Sequence, residues 1–596
     1  MQNDIPGRLS ALRAAMKRLG LDAYMAPSSD PHQSEYMADY WLARAWLSGF
    51  TGSAGILVVT ADHAGLWTDS RYFLQAEQEL ANTGVELHKQ VVAHAPEHLE
   101  WLCANLPAGS MVGFDGALFT ANQVRQMAKT FYESQLEINH QHDLVSEIWK
   151  NRPALPADEA YEFDEAYAGK SRREKLDLIT DQLALKGVDY LLVPTLDDIA
   201  WTLNLRGSDV AFNPVCISYL VVGREASHLF IQKEKVSDLL RTRLGVDGVL
   251  LKPYESIESF LQQLPEGKKI GIDPSVTSIR LFNAVPESAL VMMDMPPRRF
   301  KAIKNEVEIN HLHEAMRKDG VALLRLFRWL EAQLKAEAEV TEAGLAQQLI
   351  VFRSEQSDYV GESFPAIVGY NANGAIVHYH PDPDHSAVIY PEGILLLDSG
   401  GQYLQGTTDI TRTIALSDPT PQQQLDFTLV LKGHINLAMA QFPEGANGIQ
   451  IDTYARQPLW RYGLNYGHGT GHGVGFFLNV HEPPQGFAPS VGRGSTVIEP
   501  GMLTSNEPGL YRTGQYGIRT ENLVVCERAA TTEFGAFLRF RTISLFPIDR
   551  RLIAENILAK EEMIWLNEYH AEVWKALSPL LTAEEQHWLA EQTQPL

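Results

Sequence analysis

The chain has 596 residues, more than one hydrophobic core supports, so two to four domains are expected. Its composition, 45% hydrophobic and 21% charged, is that of an ordinary globular protein, and a formal net charge of −24 argues against nucleic acid or an anionic membrane as partner. Three cysteines, Cys103, Cys216 and Cys526, are odd in number and far apart; they make no zinc spacing and no disulfide framework, which fits a reducing compartment.

The start, MQNDIPGRLSALRAAMKRLGLDAYMAP, has no apolar core segment and no cleavage-like site, so it does not read as a signal peptide. No uninterrupted apolar run reaches the ~18 residues that span a bilayer. The expected location is cytoplasmic. A weak internal repeat follows. RLSALRAAMKRLGLDAYMAPSSD (8–30) is echoed by REKLDLITDQLALKGVDYLLVPTLDD (173–198), each an amphipathic helix, a Gly-Leu/Val-Asp turn and a short strand. SAGILVVTADHAGLWTD (53–69) parallels CISYLVVGREASHLFI (216–231), strand, turn and strand. The repeat predicts two related α/β domains, joined by the proline-rich acidic stretch NRPALPADEAYEFDEA (151–166). Thr68-Asp69 is an N-cap signal for a helix over 70–80, and no chemistry is assigned to Arg71 or Tyr72.

A long amphipathic helix is predicted over 301–334, followed by strand-like runs AIVHYH (375–380), GILLLDSG (393–400), GTTDITRTIAL (406–416), MLTSNEPGLY (502–511) and GIRTENLVVC (517–526). The tail from about 553 reads as helical. Domain boundaries are placed at 1–155, 156–305 and 306–596.

The most unusual run is NYGHGTGHGVG (465–475), with glycine at every second position from 467 to 475. As a helix it fails, because each interior glycine costs about 1 kcal/mol against alanine. Period two is that of a strand, with one bare face open to close approach and the other carrying His468 and His472. Fully extended, these histidines stand ~13 Å apart, too far to share one ion. One is expected to bind metal and the other to face substrate; a glycine-rich turn with two solvated histidines is the plain alternative. Elsewhere Asp398 ends ILLLDSG, and Asp409 lies in GTTDITRT, where Thr407, Asp409, Thr411 and Thr413 alternate onto one face. The loop between them suits a hairpin, and as cross-strand neighbours the aspartates would lie ~5 Å apart. Glu507 and Glu521 repeat the arrangement around PGLYRTGQYG. Four buried carboxylates need countercharge, which two divalent ions supply. Oxygen-rich ligation with one imidazole suits Mn²⁺, Co²⁺, Fe²⁺ or Zn²⁺, and two such ions ~3.5–4 Å apart hold an activated water.

The segments LLLDSG, TTDITRT, GHGTGHGVGFFLNVHEPP, TSNEPGLY and GIRTENL resemble, in order, the signatures of the pita-bread metallopeptidases, above all the aminopeptidase P (Xaa-Pro aminopeptidase) family in its long three-domain form. The catalytic likeness covers about 301–596, and the preceding halves are similar to that form's paired creatinase-like domains. The fold so implied is α/β (α+β): two creatinase-like domains and a carboxy-terminal pita-bread domain. The resemblance implies Asp398 as ligand of one metal, His472 and Glu507 as ligands of the other, and Asp409 and Glu521 bridging both, with Mn²⁺ preferred over Zn²⁺ or Co²⁺. It implies active-site roles for His378, His468 and His481, and Arg519 as a neighbouring charge that orients the ligands or substrate. The implied reaction releases the first residue from peptides with proline second. A hydroxide bridging the metals attacks the carbonyl, Glu507 moves the proton, and His468 and His481 stabilise the intermediate while His378 lines the proline side. A homodimer is implied, with Trp460 and the aromatic tail as interface. A prolidase restricted to Xaa-Pro dipeptides would share the five ligands. Methionine aminopeptidase lacks so long an amino-terminal half. Creatinase-like chemistry needs no metal, and non-catalytic pita-bread binding proteins typically lose ligands retained here.

Overall fold

The sequence repeat becomes a repeat of topology. The computed structural model describes residues 4–69, 71–90 and 95–596. The chain divides into two units: the first reaches Phe163 and resumes over Lys170–Pro297, and the second takes Asp164–Gly169 with Arg298–Leu596.

Two six-stranded sheets lie in the first unit. One has the order Glu86–Lys89, Ala64–Thr68, Ile56–Thr60, Ala23–Pro27, Met111–Phe114, Glu137–Asn139. The other has Val249–Lys252, Ser227–Ile231, Ser218–Gly223, Tyr190–Val193, Ile270–Ile272, Leu290–Met292. Orientations agree pair by pair: a parallel edge pair, two antiparallel pairings, then two parallel ones. Each half opens on a capped helix. Ile5–Leu19 is capped by the Asp4 carboxylate and closed by left-handed Gly20, and it buries Ile5, Leu9, Leu12 and Met16 on one stripe. Arg172–Leu185 opens on a Ser171/Glu174 capping box.

The helix expected over 70–80 starts later, at Phe73, and ends at Glu79. The reason lies in Asp69, whose carboxylate grips the Arg71 guanidinium through two 2.7 Å bonds as well as the Arg71 N–H, and so is not used as an N-cap.

The second unit opens on a helix over Glu306–Lys335, started by an Asn305/Glu308 capping box, and closes on helices Lys560–Leu577 and Ala583–Gln592. Between them three groups of strands matter. Ile367–Tyr370, Ile394–Ser399 and Ile410–Ala415 form one antiparallel sheet. Gly509–Arg512 and Tyr516–Arg519 form a hairpin. Leu503–Asn506 sits in a larger sheet between Asn522–Thr532 and the short strand Gly471–Gly473. Two expectations change. AIVHYH is not a strand: a 3₁₀ turn over Asn371–Ala375 runs into a further turn at His378. Glu342 causes this, its buried carboxylate accepting from the Tyr370 and Ala387 N–H groups, the Asn373 amide and the Tyr379 hydroxyl, which curls the segment around it. The glycine-alternating run is extended only over Gly471–Gly473. Among the described residues no helix is long and apolar enough to cross a membrane.

Candidate metal centre

Asp398 is on the last turn of the pleat in Ile394–Ser399, but the other three acids stand where strands break. Asp409 falls between Gly406–Thr407 and Ile410–Ala415, Glu507 between Leu503–Asn506 and Gly509–Arg512, and Glu521 between Tyr516–Arg519 and Asn522–Thr532. Pro508, which has no N–H to give a ladder, ends the pairing beside Glu507. At such breaks the chain passes from one sheet to the next, and side chains from both converge. The aspartates are consequently not direct cross-strand neighbours: Asp398 pairs with Thr411, and Asp409 lies two residues off. Thr407 also leaves the expected face, because it pairs with Gln402 in a separate hairpin. Thr411 and Thr413 keep it: the Thr411 hydroxyl donates to Glu521 at 2.7 Å, and that of Thr413 donates to the Arg519 carbonyl.

Ligand-capable atoms of Asp409, His472 and Glu521, all buried, lie within 4.8 Å of one another. His472 Nε2 is 3.4 Å from Asp409 Oδ2 and 3.4 Å from Glu507 Oε1. Its Nδ1–H donates to the Gly473 carbonyl at 2.9 Å, which leaves Nε2 with its lone pair toward the carboxylates. The bare glycine face is what lets this strand sit there. A Cβ on Gly471 would fall 1.8 Å from the Ser505 carbonyl oxygen, and one on Gly473 2.3 Å from that of Glu482.

Four carboxylates and one guanidinium share this space. Arg519, 2% exposed, donates to Asp398 Oδ2, to Thr411 and, at 2.8 Å, to the Tyr511 hydroxyl. Burial, and then the neighbouring carboxylates, push Asp409 and Glu521 well above the ordinary range; burial also raises Glu507, against the pull of His472 and Arg519. Asp398 Oδ1 and Glu521 Oε1 are buried with no hydrogen-bond partner among the described residues. Orphaned carboxylate oxygens beside an imidazole lone pair are a donor set for hard-to-borderline divalent cations. The residues fit such ions, and the charge left after Arg519 is more than one divalent ion cancels.

The other histidines differ in placement. His468 Nδ1–H donates to the Gly469 carbonyl at 2.7 Å, so its Nε2 accepts from the Tyr511 hydroxyl at 2.8 Å; burial pushes Tyr511 up to about 12, which keeps that donor protonated. A directed chain thus runs from Arg519 through Tyr511 to His468. The His481 ring stands edge-to-face on His472, with centroids 4.3 Å apart. His378 is half-buried in the turn held by Glu342, and His380, two residues on, is within electrostatic reach of Asp398.

Several supports had no signal in the sequence reading. His434 donates from Nδ1 to the Asn506 carbonyl and accepts at Nε2 from the Asn522 amide, tying together the residues next to Glu507 and Glu521. Burial pushes its pKa down to about 3, so it stays neutral for this task. Arg456, paired to Asp452, donates to the Tyr466 and His468 carbonyls and pins the glycine-rich run. The Ser505 hydroxyl donates to Glu507 Oε1 at 3.1 Å.

Comparison with known proteins agrees in extent and order. The chain matches Metallopeptidase family M24 over 310–528 and its C-terminal region over 536–596. The Creatinase/Prolidase N-terminal domain matches over 8–148 and, in a second form, over 151–308. Xaa-Pro aminopeptidase 1 of Dictyostelium discoideum is 40% identical, over 99% of this chain and 97% of its own. Aminopeptidase P2 of Arabidopsis thaliana is 39% identical, over 99% of this chain and 88% of its own. The crystal structure of X-prolyl aminopeptidase from Caenorhabditis elegans, described as a cytosolic enzyme with a di-nuclear active site, superimposes with a TM-score of 0.94 at 34% identity over 99% of this chain and 100% of that one.

Proposed function

This chain belongs to the M24 metallopeptidases, among the Xaa-Pro aminopeptidases, and on that premise we propose that it releases the amino-terminal residue from peptides whose second residue is proline. The observation that supports this reading is that buried Asp409, His472 and Glu521 lie within ligand reach of one another, with Glu507 against His472 and with buried oxygens of Asp398 and Glu521 left without a hydrogen bond. Asp398 would hold one divalent ion, His472 and Glu507 the other, and Asp409 and Glu521 both. Mn²⁺ is our assignment for the native metal, with Zn²⁺ or Co²⁺ as substitutes. When bound, the ion pair supplies an acidified water and an electrophile for the scissile carbonyl.

The protein's own groups do the rest. Glu507, oriented by Ser505 and by its N–H bond to the Thr470 carbonyl, takes the proton from the attacking water and delivers it to the leaving prolyl nitrogen. His468 and His481 bind the carbonyl side of the substrate, and His378 lines the side that takes the proline ring. Proline gives no N–H and has a fixed φ, so selection rests on shape rather than on a backbone hydrogen bond. We read the location as cytoplasmic and the assembly as a homodimer, the latter supported by exposed aromatic residues Tyr454, Trp460 and Tyr462.

An Arg-Pro-Pro peptide and an Xaa-Pro dipeptide test the substrate class together. Chelated protein should lose activity on the tripeptide, and Mn²⁺ should restore it. Cleavage of the dipeptide alone would make the enzyme a prolidase. His468→Ala removes the acceptor of the Tyr511 hydroxyl but no metal donor. Metal content should stay at the wild-type ratio while kcat falls about 10²-fold. Loss of metal from that variant would mean that the roles of His468 and His472 are reversed.

A further inference from the structure

Far along the chain from the acidic cluster, the first of the two six-stranded sheets, at its Glu86–Lys89 edge, carries a second group of metal-ligating side chains. His63 sits in the turn between Ile56–Thr60 and Ala64–Thr68; Glu86 and His88 stand two apart on Glu86–Lys89 and therefore project on the same face. Their ligand-capable atoms lie within 4.8 Å of one another. His63 Nε2 and His88 Nε2 share a hydrogen bond of 3.2 Å, one of them carrying the proton. Two imidazole nitrogens bound to one tetrahedral zinc at 2.0–2.1 Å are held about 3.3 Å apart, so an ion that displaces the shared proton meets the two nitrogens at the separation it requires.

The surroundings hold the two rings in this arrangement. Gly65 is directly opposite Glu86 in the ladder, and Trp67 opposite His88. A Cβ on Gly65 would meet His63 Nε2 at 2.6 Å and His88 Cδ2 at 2.8 Å, so the glycine leaves the notch over which the rings meet. His88 stacks on Trp67, centroids 3.9 Å apart and 9° from parallel, and His63 stacks on Trp101 at 4.6 Å. The His63 turn is fixed by its N–H bond to the Thr60 hydroxyl and by Arg13, which donates to its carbonyl. Glu86 has Oε2 3.8 Å from His63 Nδ1, the ring nitrogen not facing His88, and with its side chain 68% exposed it would reach the third position by rotating past that ring.

We propose that His63, His88 and Glu86 form a binding site for a borderline divalent cation of the Zn²⁺ class, separate from the acidic centre and with its remaining position open to water. Two imidazoles and one carboxylate select Zn²⁺, Ni²⁺ or Cu²⁺ over the harder ions favoured by a carboxylate-rich cluster.

The test uses full-length, untagged protein saturated with Mn²⁺ and titrated calorimetrically with Zn²⁺. Wild type should show a zinc equivalent whose affinity falls about tenfold or more in His88→Ala and in Gly65→Ala, the latter removing no ligand. Hydrolysis of Arg-Pro-Pro by the Mn²⁺ enzyme should be unchanged in both. Ni²⁺ or Cu²⁺ should quench part of the tryptophan emission in wild type, through Trp67 and Trp101, and not in His88→Ala. Glu86→Gln, at an exposed position, weakens the site in a chain whose fold is not at risk. Equal zinc uptake by wild type and His88→Ala would overturn the proposal, as would the absence of any zinc equivalent in wild type.

Discussion

Glu507→Gln should give a folded protein whose turnover of an Arg-Pro-Pro peptide falls about 10³-fold. The amide keeps the size of the carboxylate and leaves an oxygen for the Ser505 hydroxyl. It cannot take a proton, and it removes one negative charge from a cluster in which Asp398, Asp409 and Glu521 already repel one another. Catalysis and structure therefore respond in opposite directions. Without metal, the variant should melt no lower than wild type, because a buried charge that raised its neighbours has gone. With Mn²⁺ present, wild type should gain more thermal stability than the variant, since a ligand that binds only the folded state stabilises it more the tighter it binds, as the logarithm of the affinity. Calorimetric melts with and without Mn²⁺, alongside steady-state kinetics, measure both. Wild-type turnover by the purified variant would remove Glu507 from the chemistry.

What could be read from sequence followed from local pattern. The helix, turn and strand repeat was legible because each half spells it out within about 25 residues, and the structure repeats even the strand orientations. Glycine at alternate positions correctly announced a backbone approach, seen at Gly471 and Gly473. The strand breaks were not legible. Thr408 and Asp409 continue an unbroken alternating pattern, and only the second hairpin, which claims Thr407, reveals why the strand stops. The Glu342 clamp was hidden for a similar reason: its four partners span Tyr370 to Ala387, while Glu342 itself opens a helix and looks like an ordinary first-turn acid. His434 lies mid-helix between apolar residues, 72 positions from Asn506, where a core histidine is the natural reading. Tyr511 falls in the turn sequence PGLYRTGQYG, where no local pattern marks it, although it links Arg519 to His468.

Arg519→Met should destabilise the metal-free protein by about 3–5 kcal/mol, the usual result of removing one partner from a buried ion pair. Arg519 is the guanidinium inside the acidic cluster, and its loss would leave Asp398 Oδ2 as bare as Oδ1 already is. Tyr511 and Thr411 lose a donor at the same time. If the cost is electrostatic, Asp398→Asn added to Arg519→Met should recover part of it, whereas two independent packing defects would add. Saturating Mn²⁺ should recover part as well, because a divalent ion supplies the missing countercharge. Arg519→Lys keeps the charge without the fork that reaches three partners, so its loss should be intermediate. Denaturant melts of the four proteins, with and without Mn²⁺, separate these contributions. A single Arg519→Met variant as stable as wild type, with or without metal, would show that the guanidinium does not balance Asp398. The charge balance that calls for two divalent ions would then have to be drawn without it.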